Sequence, residues 1–185
     1  MLYCISDPHF NHDREFIYGP RGYHSVEEMN NTQIYKWNST VTKNDTVIVA
    51  GDFFLGADAD FVRKTIPQLN GSIHLIRGNH DTNAKLKIYA EFPKIIDVKW
   101  ADMIEYNGRK YFITHFPTLT ATLESDPNRC IYNLSGHTHS KDKFYEDRPY
   151  VYNVAVDAHG GYPVSIEQIH EDINQKIKEC LDQLD

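Results

Sequence analysis

Short runs of apolar, β-branched and aromatic residues recur along this chain, separated by polar stretches with helical features. Leu2 to Ser6, Thr46 to Ala50, Ser72 to Ile76, Lys110 to Thr114, Cys130 to Ser135 and Val151 to Val156 each predict a buried strand. Ile95 to Trp100 and Asp102 to Tyr106 predict two more, and Asn107-Gly108 is a hairpin turn signal leading into Lys110. Ser25-Val26-Glu27-Glu28 has the form of a capping box and predicts a helix to about Ser39. A second helix is expected from about Asp58 to Leu69, ended or kinked by Pro67, and a third from Lys85 to Phe92. Ser165-Ile166-Glu167-Gln168 opens a C-terminal helix. Its apolar positions Ile166, Ile169, Ile173, Ile177, Cys180, Leu181 and Leu184 share one stripe, which reads as core. Phe10 to Tyr23 is a polar and aromatic loop without period.

Composition narrows the class. With 185 residues, 41% hydrophobic and 24% charged, one ordinary domain spanning 1–185 is expected. A net charge of −7 argues against a long nucleic-acid track, although a short oligonucleotide stays admissible. Cys4, Cys130 and Cys180 are few, odd in number and far apart, so neither a disulfide framework nor a zinc knuckle is expected. No basic leader or long apolar stretch is visible, which makes the cytoplasm the expected location and a membrane partner unexpected. Oligomeric state is not legible.

The polar groups that end the apolar runs carry the chemistry. The first run ends in Asp7-Pro8-His9, the second in Gly51-Asp52, and the third in Gly78-Asn79-His80-Asp81. Two later runs end in His115-Phe116-Pro117 and Gly136-His137-Thr138-His139. Strand ends are where α/β folds place ligands. In both Asp7/His9 and His137/His139 the side chains are two apart, so an extended backbone would turn each pair to one side. Any one motif is most simply a hydrogen-bonded turn. Together they offer Asp7, His9, Asp52, Asn79, His115, His137 and His139, too many donors for a single tetrahedral ion. Imidazole, carboxylate and amide without thiolate suit two divalent ions: manganese is the expected metal, and iron, nickel or zinc are compatible. Paired ions about 3.5–4 Å apart serve in-line displacement at phosphorus.

The ordered set D-x-H, G-D, G-N-H-D, H and G-H-x-H, from Asp7 to His139, resembles the calcineurin-like metallophosphoesterases, and in particular their small bacterial and phage-type members. "SDPHF", "HFP" and "NVAVD" strengthen the likeness. The resemblance implies an α/β fold, a four-layer α/β/β/α sandwich of two mixed sheets flanked by helices. It implies that Asp7, His9, Asp52 and His139 hold one ion, that Asp52 bridges, and that Asn79, His115 and His137 complete the second. His80 is then left to stabilise the transition state or protonate the leaving oxygen, which suits an imidazole. Gly78 is expected to permit a tight turn, and Asp81 either orients a neighbour or caps that turn. The implied reaction is hydrolysis of a small or nucleotide-like phosphodiester by a hydroxide held between the ions. A phosphomonoesterase and a non-catalytic scaffold on the same fold are the alternatives. His12, Arg14 and Arg21 in the Phe10–Tyr23 loop are candidate substrate contacts, with Arg suited to phosphate. Arg77 can point either way. His24, His74, His159 and His170 read as surface or hydrogen-bonded histidines.

Overall fold

A computed structural model describes residues 1–56, 58–121, 126 and 129–182. Strands β1 (Leu2–Ile5), β2 (Thr46–Val49), β3 (Ser72–Ile76) and β4 (Ile95–Lys99) form one sheet with β9 (Val164–Ser165), in the order β4-β3-β2-β1-β9. Its first four strands run parallel, and β9 is antiparallel to β1. The second sheet has the order β5-β6-β7-β8, from Ala101–Tyr106, Arg109–Thr114, Ile131–Ser135 and Val151–Asn153. Here β5 is antiparallel to β6, while β6, β7 and β8 run parallel. Both sheets are therefore mixed. Asn107 and Gly108, at φ 48° and 73°, make the tight turn that joins β5 to β6.

Two apolar cores follow from strand alternation. Cys4, Ile48 and Ile76 from one sheet meet Tyr111, Ile113, Tyr132 and Leu134 from the other. The opposite face of the first sheet, with Val47, Val49, Ile73 and Leu75, packs Trp37 of α2 (Val26–Thr40), Val62 of α3 (Ala59–Thr65) and Tyr89 of α4 (Asn83–Tyr89). Ile166, Ile169 and Ile173 of α5 (Ile166–Asp182) join the core between the sheets. The fold is thus two mixed sheets flanked by helices.

Local chemistry sets the element ends. Ser25 Oγ accepts from the Glu28 N–H and starts α2. Glu28 reaches back to the N–H of His24, one residue before the expected box partner. Pro67 does not kink a long helix; α3 ends at Thr65 and a 3₁₀ turn carries Ile66–Gln68. The strand expected over 151–156 is shorter, because after Asn153 the chain leaves the ladder, Ala155 forming a lone bridge to Ser6. The Phe10–Tyr23 segment contains a single helical turn, α1 (Glu15–Tyr18). The stripe on α5 is core only in its first half, since Leu181 is 53% exposed; Leu184 lies outside the described residues.

Candidate active site

Asp7 follows β1, Asp52 follows β2, Asn79 follows β3, His115 follows β6 and His137 follows β7. All five are at the carboxyl ends of parallel strands, so both sheets deliver groups to one place. The pairs do not converge through an extended backbone. Asp7, His9, Asp52, His137 and His139 all have left-handed backbone, with φ between 49° and 69°. Such φ values are strained for residues with a Cβ and persist where the surroundings over-determine them. The surroundings here do so: the Asp7 N–H donates to Gly51 O, His9 N–H to Asp52 O, and the His137 N–H to Asp7 Oδ2.

Gly78 earns its place by close approach and not by a tight turn. Its φ is not positive, but a Cβ there would overlap the Asp52 carboxylate and amide. Gly136 is constrained likewise, by the Asp7 carboxylate and Ser6.

Two donor groups share this centre. His9 Nε2 lies 3.6 Å from Asp7 Oδ1 and 3.7 Å from Asp52 Oδ2, and 3.2 Å from His139 Nε2. His139 Nε2 is 3.9 Å from Asp7 Oδ1. On the other side, His115 Nε2 lies 3.5 Å from Asp52 Oδ2, 2.9 Å from Asn79 Oδ1 and 3.2 Å from His137 Nδ1. Asp52 Oδ2 thus reaches both groups. Asp7, His9 and His139, and again Asp7, Asp52 and His115, each place ligand atoms within 4.8 Å of one another.

The donor chemistry fits cations. Asp7 Oδ2 accepts from Ser6 and from the His137 N–H, yet Oδ1 is buried with no donor among the described residues. A buried carboxylate oxygen left this way is costly unless a positive charge answers it. His115 Nδ1 is 3.0 Å from Ala50 O and donates to it, which leaves Nε2 as the nitrogen turned to the centre. That nitrogen faces the Asn79 and Asp52 oxygens, a crowd of acceptors that a cation would reconcile.

The ionisable groups respond to one another. Burial would raise the Asp52 carboxyl, but His115, the His80 N–H and His9 hold it at about 2. Burial likewise opposes ionisation of Asp7, and His9, His115 and Ser6 reverse it to a net lowering. Burial lowers His9 and His137 despite nearby carboxylates. Burial also disfavours charged His115, but Asp52 and Asp7 raise it overall.

His80 stands apart from both donor groups. Its side chain is 44% exposed, with Nε2 3.9 Å from Asp52 Oδ2 and its ring 5.5 Å from that of His9. Its N–H donates to Asp52 Oδ1, and the buried Lys85 ammonium donates to its carbonyl at 2.9 Å. Asp81 orients rather than merely capping. Fully buried, it accepts from the N–H groups of Gly78, Asp52 and Phe53 and from Tyr89 Oη. Burial pushes its carboxyl up.

Of the three loop candidates, His12 sits beside the centre, its ring 5.3 Å from His9. Burial, then His9 and His80, push its imidazole down to about 4. Arg14 is exposed and donates to Asp13 O. The Arg21 side chain is only 6% exposed and binds Asp157 through both oxygens, at 2.9 and 2.8 Å. It also donates to Asp7 O and Pro8 O. Asp157 Oδ2 and Arg21 Nη2 each lie 3.2 Å from His139 Nδ1, which holds the ring with Nε2 turned to the centre. Asp157 is not among the sequence candidates, although it terminates an apolar run just as the candidate ligands do. Arg77 donates to Asp81 O and stacks on Trp100 at 4.6 Å.

The family pattern described as Calcineurin-like phosphoesterase matches residues 2–182. This chain is a calcineurin-like phosphoesterase. That family implies a hydrolase of phosphoesters that uses divalent metal ions. The chain is 35% identical over 175 residues to the uncharacterized protein MJ1445 of Methanocaldococcus jannaschii, covering 91% of this chain and 88% of the relative. Among solved structures it resembles the Aquifex aeolicus protein AQ665, of unknown function, with TM-score 0.69 and 22% identity. That likeness covers 92% of this chain and 98% of the other, and supports the fold. Among the described residues, no helix of this phosphoesterase is long and apolar enough to cross a membrane.

Proposed function

We propose that this calcineurin-like phosphoesterase is a two-metal phosphodiesterase acting on small or nucleotide-like diesters. One observation carries the reading: Asp52 Oδ2 lies 3.7 Å from a nitrogen of one donor group and 3.5 Å from a nitrogen of the other. Asp7, His9, His139 and Asp52 would hold the first ion, and Asp52, Asn79, His115 and His137 the second. When bound, the ions would supply Lewis acidity to phosphate oxygens and lower the pKa of water at the site. Manganese suits this nitrogen and oxygen set. The half-exposed His80 is free to hydrogen-bond the phosphate or to give a proton to the departing oxygen. Asp81 and Lys85 hold the turn that presents it. Phe116, 48% exposed and packed edge-on against His115 and His137, forms an apolar flank.

The cations favour a diester over a monoester. A monoester dianion calls for an extra guanidinium, yet Arg21 is engaged with Asp157 and Arg77 with Asp81 O and Trp100. Arg21 is better read as a brace for His139 than as a substrate contact, leaving His12 as the loop group nearest that role, while Arg14 is exposed and bonded to Asp13 O. A complete donor set argues against a non-catalytic scaffold.

The test is hydrolysis of paired chromogenic phosphate mono- and diesters by metal-stripped protein reloaded with manganese. The expected result is metal-dependent turnover with the diester faster. A faster monoester would reverse the substrate assignment, and two bound ions without turnover on either would overturn the chemistry proposed here.

A further inference from the structure

We propose that the chain has a second ligand site, beside the metal centre, that takes a nucleoside monophosphate. The site is a cavity of about 340 Å³ lined by α2, the loop before it and the turn after Val156. Small-molecule pockets begin at about 300 Å³. Gln33 distinguishes this one. It is 4% exposed and lines the cavity, and among the described residues neither its amide oxygen nor its amide nitrogen has a hydrogen-bond partner. Buried amides are almost always paired, so an unpaired one calls for an explanation. A carboxamide sets one acceptor beside one donor, the arrangement that pairs with a nucleobase edge.

The charge of the lining points the same way. Lys36 and Lys141 border the cavity, and its lining carboxylate, Asp157, is already neutralised by Arg21. This is a positive pocket in a chain of net charge −7, so the ligand is an anion. Lys36 is held in place: it donates to Gly160 O at 2.8 Å and to Tyr23 Oη at 3.3 Å, and lies over the rings of Tyr23 and Tyr162. Gly161, at φ +88°, lets the backbone pass close to it, where a Cβ would sit 3.0 Å from Lys36 Cδ. An amide edge, ammonium groups and the Tyr23 ring together match a base, a phosphate and an aromatic face. Inorganic phosphate would use the lysines alone.

The full chain is titrated calorimetrically with AMP and, separately, with inorganic phosphate, in manganese and again in chelator. In chelator AMP is expected to bind one site, at least tenfold more tightly than phosphate, and the same site is expected to fill in manganese alongside the metal centre. Gln33→Leu should weaken AMP at least tenfold and leave phosphate unchanged, and Lys36→Ala should weaken both. Because Leu replaces an unpaired amide, Gln33→Leu should also unfold at a higher temperature, which separates a lost contact from a lost fold. Any one of four results overturns the proposal: no AMP binding, binding that requires manganese, binding indifferent to Gln33→Leu, or a lower unfolding temperature for that variant. The metal-free arm keeps this test independent of the phosphodiesterase reading.

Discussion

His80 differs from the other imidazoles around Asp52 in being free to meet what comes from solvent, while His9 and His115 are about 1–2% exposed. That difference predicts how its loss will read. His80→Ala should leave metal content unchanged and lower turnover about 10²–10⁴-fold for diesters with poor leaving groups. Diesters with good leaving groups should lose far less. An equal loss on both, in a leaving-group series, would exclude proton donation and leave only transition-state hydrogen bonding. Asp157 calls for a different test, because its contact with the centre is made through His139. Asp157→Ala should weaken one of the two ions about 10–100-fold. Calorimetric titration with manganese would show one weakened and one unchanged event; two unchanged events would reduce Asp157 to a structural ion-pair partner. The metal-binding candidates were legible because each ends an apolar run. The Arg21–Asp157–His139 contact was not. Its members are 136 and 18 positions apart, and no local pattern announces such a meeting.

Elements placed the candidates better than dihedral reasoning oriented them. Alternation and capping residues located the strands and α2, because those signals are local. The convergence of Asp7 with His9, and of His137 with His139, rests instead on left-handed backbone at five candidate-ligand positions, which no side-chain period encodes. The same limit hid the change of sheet between β4 and β5, where one residue, Trp100, separates strands of different sheets. Away from the site, α5 is tied to the second sheet by a carboxylate. Asp172 accepts from Tyr152 Oη and Lys143 at 2.5 and 2.8 Å, and from Gln168 at 2.9 Å. Burial opposes its ionisation, but Lys143, Tyr152 and Gln168 lower its pKa overall. A carboxyl lowered by folding stabilises the protein above its unfolded pKa, about 3.9, and ceases to do so as pH falls through the folded value. Asp172→Asn should therefore lower stability by about 1.5–3 kcal/mol at neutral pH. The gap from the parent should narrow as pH drops below about 4. Denaturant melts across that range check it, and a gap independent of pH would show that the carboxylate charge contributes nothing.

At the scale of the whole molecule, the donors are divided between the sheets. Asp7, Asp52 and Asn79 follow strands of the five-stranded sheet, whereas His115 and His137 follow strands of the four-stranded one. Without cations, this seam holds a buried carboxylate oxygen with no donor among the described residues, and acceptors crowded around His115. Ions bound there would join the sheets and relieve that crowding, and the unfolded chain has no comparable site. Binding to the folded state alone stabilises by about 2.7 kcal/mol per site at a free concentration one hundred times Kd. For a chain of this size, each kcal/mol moves the midpoint by about 2–4 °C. Manganese should thus raise the thermal midpoint above that in chelator by about 5–10 °C for each ion bound at that level. Asp52→Asn removes charge from the carboxylate that both donor groups share, so it should shrink the shift by more than half. Thermal melts in manganese and in chelator decide the matter. An identical midpoint in both would mean that the seam holds no ion, and a full shift in Asp52→Asn would mean that Asp52 does not bridge.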